Sequence, residues 1–276
     1  MKIIKYNWSN WYKDFNPSDL DYFLVNLFKE DLDVKLVLSK DNPDYVFYGP
    51  YGDYLTAASL APFNTIKVFY AVEPISPDFQ FFDYCVGFEP YSFGNRYLYF
   101  PFFMCFLKEH YEPITRAQAV SILNGKTAFC DFIFTHDGVE KSRKKYFELL
   151  SSYKRVEGAG TYLNNQNNKN TVSYMDSTKV NFQSKCKFSL CIQSTDIDWF
   201  FNEEIVDAFN ANSIPIFYGS KSIKKIFNPR RFIYVGDYKT DDELLEAIKR
   251  IDLNDELYLN MLMEPIYVNP NFYDDL

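Results

Sequence analysis

The chain has 276 residues, 47% of them apolar, enough to bury a sizeable core and to form two domains of ordinary size. A formal net charge of −8 excludes the broad basic surface of a general nucleic-acid binder and gives no whole-molecule attraction to anionic lipid. Five cysteines, an odd number without CxxC spacing, argue for a reducing compartment rather than a disulfide framework. No apolar stretch reaches the roughly 20 residues needed to span a bilayer. Lys2, Lys5 and Asn7 interrupt the start where the apolar run of a secretory leader would lie, so a cytoplasmic location is expected.

In chain order, Lys2–Tyr6 reads as a first strand. Ser18–Glu30 reads as a helix with Ser18 as N-cap and Leu20, Phe23, Leu24, Leu27 and Phe28 as its apolar stripe. Short strands follow at Val34–Leu38, Tyr45–Tyr48, Ile66–Tyr70 and Asp83–Phe88. Strands alternating with helical stretches predict an α/β domain on a largely parallel sheet, assigned to residues 1–115. Residues from Leu107 to Lys126 mix charge with Pro113 and Gly125, and 116–127 are assigned as the interdomain connection, with some helix. A second domain over residues 128–276 opens with the strand Phe129–Phe134 and a helix from Arg143 to Tyr153, with Tyr146, Phe147 and Leu150 inward. Gly158-Ala159-Gly160 makes a turn, and Asn164–Asn170, with five Asn among seven residues, reads as a loop. Further on, Thr240-Asp241-Asp242-Glu243 is a capping box opening a helix with Leu244, Ile248 and Ile251 inward, and a last helix spans Asp255–Met263.

The stretch from Lys187 to Val235 carries most of the chemistry. Phe188–Ile192 has the apolar run of a buried parallel strand. A polar loop follows, then an amphipathic helix beginning near Asn202, with Ile205, Ala208 and Phe209 on one stripe. A second buried strand, Ser213–Tyr218, ends at Gly219-Ser220. Strand, loop, helix and strand make one crossover unit, and ligands bind such units at the strands' carboxyl ends and at helix N-termini.

This stretch resembles the donor-binding motif of the α1,3/4-fucosyltransferases. Phe188, Leu190, Cys191, Glu203, Ile205, Asp207, Ala208, Phe209, Ile214, Pro215, Ile216, Tyr218, Gly219, Ser220, Phe227, Asn228, Pro229 and Phe232 recur in the family's order. Lys67–Pro101 is similar to the family's acceptor-side segment, Ser142–Asn165 to its R-x-x-F-x-x-x-L-x-x-Y-x-x-V-x-x-x-G-x-x-x-N-N segment, and Asp255–Pro265 to its C-terminal helix. The resemblance implies two facing Rossmann-like domains with the site in the cleft, the GT-B architecture. It also implies an inverting transfer of L-fucose from GDP-fucose to a hydroxyl of a galactose- or N-acetylglucosamine-containing glycan, with no metal required. Bacterial members are soluble or lie on the inner face of the membrane, so peripheral membrane association is the alternative to a free cytoplasmic protein.

Such a transfer needs a base for the acceptor hydroxyl, positive charge for the departing diphosphate and a pocket for the nucleoside. The resemblance places the base at Glu73, just past the strand Ile66–Tyr70, although Val72 and Pro74 replace the family's flanking Gly and Asn. It makes Arg143 the diphosphate clamp, where a guanidinium can grip two phosphate oxygens at once. Glu203 matches a ribose-binding Glu, and Phe200 stands where a family Tyr contacts the nucleotide. Asn95 and Arg96 match an acceptor-side D-R-Y-L segment, with a structural turn as the alternative for both.

Several departures fall inside the donor motif. The family's E-N is Gln193-Ser194, so a nucleotide-contacting Asn has become Ser194. The Lys of T-E-K, expected to face the diphosphate, is Glu204. Three explanations compete. Lys221, Lys224 or Lys225 could supply the missing cation. A divalent metal could bridge carboxylate and phosphate, with Asp196-Ile197-Asp198 as its D-x-D triplet. Finally, the donor could differ, or the chain could be a non-catalytic binder of nucleotide or glycan. His110 and His136 are the only histidines, and no H-E-x-x-H, Walker or G-x-S-x-G pattern competes for the function.

Overall fold

A computed structural model describes residues 2–11, 34–108, 111–167, 171–172 and 177–272. The helix expected over Ser18–Glu30 lies outside them. The chain forms two compact units, Met1–Cys105 and Phe106–Leu276. This division falls ahead of the boundary at 115 expected from the sequence. The expected connection over 116–127 is largely a helix of the second unit, α2 (Arg116–Gly125), opened by a capping box between Thr115 and Gln118.

The first unit is built on six strands: β1 (Lys2–Ser9), β2 (Val34–Leu38), β3 (Tyr45–Tyr48), β4 (Ile66–Tyr70), β5 (Tyr84–Gly87) and β6 (Tyr97–Tyr99). All neighbours pair in parallel, in the order β2-β1-β3-β4-β5-β6. A short helix, α1 (Tyr54–Ser59), starts where the Asp53 side chain accepts from Thr56 N. Alternation along β1 turns Tyr6 and Trp8 into the core, where they pack edge-on to each other and against Phe47. On the other side of the sheet's centre, Phe69, Phe82 and Tyr54 form a second aromatic group.

The second unit carries β7 (Ala128–Phe132), α3 (Ser142–Ser151), β8 (Val156–Gly158), α4 (Ser177–Gln183), β9 (Cys186–Ile192), α5 (Glu204–Asn210), β10 (Ile214–Tyr218), β11 (Ile233–Tyr234), α6 (Asp241–Asp252) and α7 (Asp255–Met263). Its sheet is again wholly parallel, in the order β11-β10-β9-β7-β8. Phe132, Phe188, Leu190, Ile214 and Ile216 from the strands meet Leu150, Leu244, Ile248, Tyr258 and Leu262 from the helices. Burial on both sheet faces explains why β9 and β10 read as unbroken apolar runs rather than alternating ones.

The two units share one wiring. In each, the second strand lies on one side of the first, and the chain then crosses back to lay the third and later strands on the other side. That order creates a switch point between the first and third strands, where the loops leaving the carboxyl ends diverge and a ligand can enter. It lies between β1 and β3 in the first unit, and between β7 and β9 in the second.

Candidate donor site

The loops leaving β7 and β9 are stitched together. Val139 N and Glu140 N donate to the Ser194 carbonyl at 3.0 and 3.2 Å. Gly138 permits this approach, because it has φ +80° and a Cβ there would lie 3.0 Å from Ser194 Cα. Arg143 rises from the first turn of α3 into the gap and is buried. Its Nε donates to Ile192 O at 3.0 Å and its Nη1 to His136 O at 3.1 Å, so one guanidinium bridges the end of β9 and the loop after β7. One guanidinium face lies over the Phe134 ring, 4.3 Å from its centroid. Its Nη2 lies 3.7 Å from Glu204 Oε1.

Glu204 is the first residue of α5 and is buried. Its Oε2 accepts from Gln193 Nε2 at 2.9 Å, and Gln193 Oε1 in turn accepts from Asn202 N at 3.0 Å. Burial, then the neighbouring Glu203, pushes the Glu204 carboxyl up to about 7 against the opposing pull of Arg143, Lys179 and Gln193. The two charge departures from the family motif, Gln193 and Glu204, are therefore in direct contact. A Glu at 193 beside a Glu at 204 would place two carboxylates in one buried spot, and Gln193 avoids that.

Below this pair lies a cation that sequence reasoning missed. Lys179, on α4, is buried, with its Nζ 2.6 Å from Asp207 Oδ2 and 3.3 Å from Glu203 Oε1. Burial alone would lower its pKa, but Glu203, Asp207 and Glu204 together raise it above the ordinary lysine value. Asp207 is itself raised to about 6, mainly by burial. Glu203, the N-cap of α5, and Asp207 within it stand four residues apart, and that spacing was the available signal for a shared cation. Under the sheet's centre, buried Asp131 accepts from Ser189 Oγ at 2.5 Å and from Gln183 Nε2 at 3.3 Å, and burial raises it to about 6.

The remaining expected donor residues are placed differently. Phe200 is 2% exposed and its ring belongs to the core. Ser194 contributes its carbonyl to the loop junction described above. Of the lysines considered as substitute cations, Lys224 pairs with Asp237 at 2.5 Å, Lys225 sits 4.6 Å from the Trp199 ring centroid, and Lys221 is exposed. Asp198, from the D-x-D triplet, accepts from Trp199 N, Ser220 Oγ and Ser222 Oγ, so its Oδ1 is committed to the turn. Among the described residues no group of three or more His, Cys, Asp and Glu could hold a metal ion. Glu140, absent from the sequence reading, accepts from Thr195 Oγ1, Asp196 N and Tyr218 OH and ties the loop after β7 to those after β9 and β10.

In the first unit Glu73 follows β4 by three residues and is half-buried. Tyr51 OH donates to its Oε1 at 2.9 Å. Tyr51 leaves the end of β3 and its N–H donates to Asn10 O, beyond the end of β1, at 3.1 Å. Glu73 is thus tied to the switch point of its own sheet by a tyrosine the sequence did not flag. Gly49 makes the strand ends' approach possible, since a Cβ there would lie 2.8 Å from Asn10 O. Arg96 takes the structural alternative: it donates to the carbonyls of Asp83, Phe79 and Phe82 and lies over the Phe79 ring. Asn95 forms a bridge to Phe93 around Gly94, whose φ is +56°.

Two doubly wound units, one with a guanidinium spanning its switch point, are the building blocks of the GT-B fold. Residues 7–106 match the alpha-(1,3)-fucosyltransferase FucT N-terminal domain, and residues 123–263 match the glycosyltransferase family 10 (fucosyltransferase) C-terminal region. The chain belongs to glycosyltransferase family 10, the fucosyltransferases. It is 29% identical over 301 aligned positions to the alpha-(1,3)-fucosyltransferase FucT of Helicobacter pylori, covering 96% of this chain and 60% of that protein. It is 30% identical over 242 positions to a protein of Acanthamoeba polyphaga mimivirus provisionally named fucosyltransferase R654, covering 83% of this chain and 39% of that one. The chain therefore spans between two fifths and three fifths of the length of these curated relatives. A crystal structure of an alpha1,3-fucosyltransferase with GDP-fucose superposes with a TM-score of 0.74 at 26% identity, over 96% of this chain and 82% of that one.

Proposed function

We propose that this protein transfers L-fucose from GDP-fucose to a hydroxyl of a galactose- or N-acetylglucosamine-containing glycan, with inversion at the anomeric carbon. The observation that carries the reading is Arg143, held by the last carbonyl of β9 and a carbonyl of the loop after β7, at the switch point where doubly wound sheets take their ligands. The solved relative with GDP-fucose supports the choice of donor. In this reading Glu73 removes the proton from the acceptor hydroxyl while the bond from the fucose anomeric carbon to the diphosphate oxygen breaks. Tyr51 orients the Glu73 carboxylate, and Arg143 takes up charge that develops on the departing diphosphate. Glu203, fixed by Lys179, accepts from the ribose hydroxyls. The reaction needs no metal ion, in keeping with the family.

The test is GDP release and product formation with GDP-fucose and a panel of galactosyl-N-acetylglucosamine acceptors. Glu73→Gln, which can still accept from Tyr51, should lose turnover by at least a hundredfold and keep its GDP affinity. Wild-type rates in that variant remove Glu73 from the mechanism. One observation favours a second reading: Glu204 stands where the family has a phosphate-facing Lys. Thermal stabilisation by UDP- or CMP-sugars but not by GDP-fucose would support a changed donor, and no response to any nucleotide would support a non-catalytic role.

A further inference from the structure

Glu204 and Arg143 face each other at the place where the proposed reading puts a diphosphate. Arg143 has little freedom there. Its Nε and Nη1 are engaged by Ile192 O and His136 O, one face is covered by Phe134, and Nη2 lies 3.7 Å from the Glu204 carboxylate. Glu204 cannot be dismissed as a surface residue that turns aside. Its side chain is about 10% exposed, and its other oxygen is held by Gln193. An incoming phosphate must therefore approach Arg143 alongside Glu204.

The groups facing Glu204 can be counted by element. Arg143 comes from α3, Lys179 from α4, Cys191 from β9, whose Sγ donates to the Glu204 carbonyl, and Gln193 from the loop after β9. Glu203 and Asp207 come from the same turn of chain. Arg143 and Lys179 supply two positive charges against the three carboxyl groups of Glu203, Glu204 and Asp207, so the cluster carries surplus negative charge before any ligand arrives whenever all three are ionised. A Lys at position 204 would reverse that surplus.

We infer that Glu204 makes donor binding proton-coupled: the nucleoside diphosphate enters together with one proton, which is taken from solvent onto the Glu204 carboxyl. The neutral acid stops repelling the phosphate and becomes a hydrogen-bond donor to a phosphate oxygen, while Gln193 keeps its hold on Oε2. This inference rests on the proposed donor site and adds the charge state in which that site accepts its ligand. Burial already brings the empty-site carboxyl to about 7, so the proton is cheaply acquired near neutrality. A neighbouring dianion raises that value further. Affinity should therefore rise as pH falls towards 7, level off below it, and weaken by up to about tenfold per pH unit above it.

The experiment is titration calorimetry of the full chain with GDP between pH 6.5 and 8.5, in buffers of low and high ionisation enthalpy. The same titrations of Glu204→Gln are the reference, since the variant keeps the Gln193 contact but has no carboxyl to titrate. GDP's own titration is common to both proteins and cancels. The expected result is about one extra proton taken up by the wild type at pH 8, with a steeper fall of affinity with pH than in the variant. If Glu204→Gln does not fold, proton uptake by the wild type at pH 8, where free GDP is essentially fully ionised, still reads the effect. GDP binding with equal proton counts and parallel pH profiles would sink this inference alone. No GDP binding by either protein would sink the donor-site reading and this inference with it.

Discussion

Lys179→Met gives the most direct test of the charge cluster. Methionine keeps the length and apolar bulk of the lysine stem and deletes only the ammonium. In the wild type that ammonium lies 2.6 Å from Asp207 and 3.3 Å from Glu203, and all three side chains are at most 10% exposed. Solvent cannot take over its role. Breaking a buried ion pair from one side typically costs about 3–5 kcal/mol, because the surviving charge stays desolvated. Two carboxylates are stranded here, so the loss should reach that range. The unfavourable partners can relieve it only by taking up protons, and Asp207, already raised to about 6, is the first to do so. The loss should therefore be largest near pH 8 and shrink as pH falls to about 5. Equilibrium urea unfolding followed by far-ultraviolet circular dichroism measures it. A loss under about 1 kcal/mol at pH 8, or one independent of pH, would falsify the description of Lys179 as the cluster's buried counter-ion.

Four further outcomes are expected. Asp131 and Asp207, raised to about 6, and Glu204, raised to about 7, bind protons in the folded state that the unfolded chain has released. Their contribution is full below the unfolded carboxylate value of about 4 and is lost as pH rises through 6 to 7, so the urea midpoint should decrease from pH 5 to pH 8. Glu204→Lys exchanges − for + beside Arg143; a unit charge at 4 Å is worth about 4 kcal/mol at an effective dielectric of 20, so GDP affinity should rise at least tenfold in calorimetry. Adding Gln193→Glu should then recover stability by about 0.5–3 kcal/mol beyond the sum of the single changes, and strict additivity would separate the two positions. Arg231 is fully buried, yet among the described residues its Nε and Nη2 have no hydrogen-bond partner and its Nη1 reaches Ser213 O only at 3.5 Å. Arg231→Met should hold or raise the melting temperature, and a drop of several degrees would show that the guanidinium is better satisfied than its geometry indicates.

The strands Val34–Leu38, Tyr45–Tyr48 and Ile66–Tyr70 were legible because their apolar and aromatic runs are bounded by turn residues. The edge strands β6, β8 and β11 were not, being two or three residues long and too short for any period to show. Helix α4 was missed as well, and with it Lys179, because Ser177–Gln183 has no apolar stripe: its buried side is polar, built from Lys179 and Gln183. Pattern reading treats a polar run as loop and cannot detect a helix whose inner face is held by charge.

The site shows the same limit at closer range. Arg143 and Glu203 could be read from order within a motif, but Gln193 and Glu204 stand eleven positions apart across a loop. No spacing rule predicts that their side chains meet. Read along the chain, the two replacements are separate losses, and separate losses suggest decay. In space they form one hydrogen-bonded pair. Gln193 is the residue that lets a carboxylate occupy position 204 without a second carboxylate against it, and Glu204 in turn remains anchored and aimed at Arg143. Unrelated losses have no reason to touch, or for one to remove a carboxylate where the other adds one. The contact therefore argues for a donor site whose charge has been reset as a unit, with Arg143 kept in place to use it.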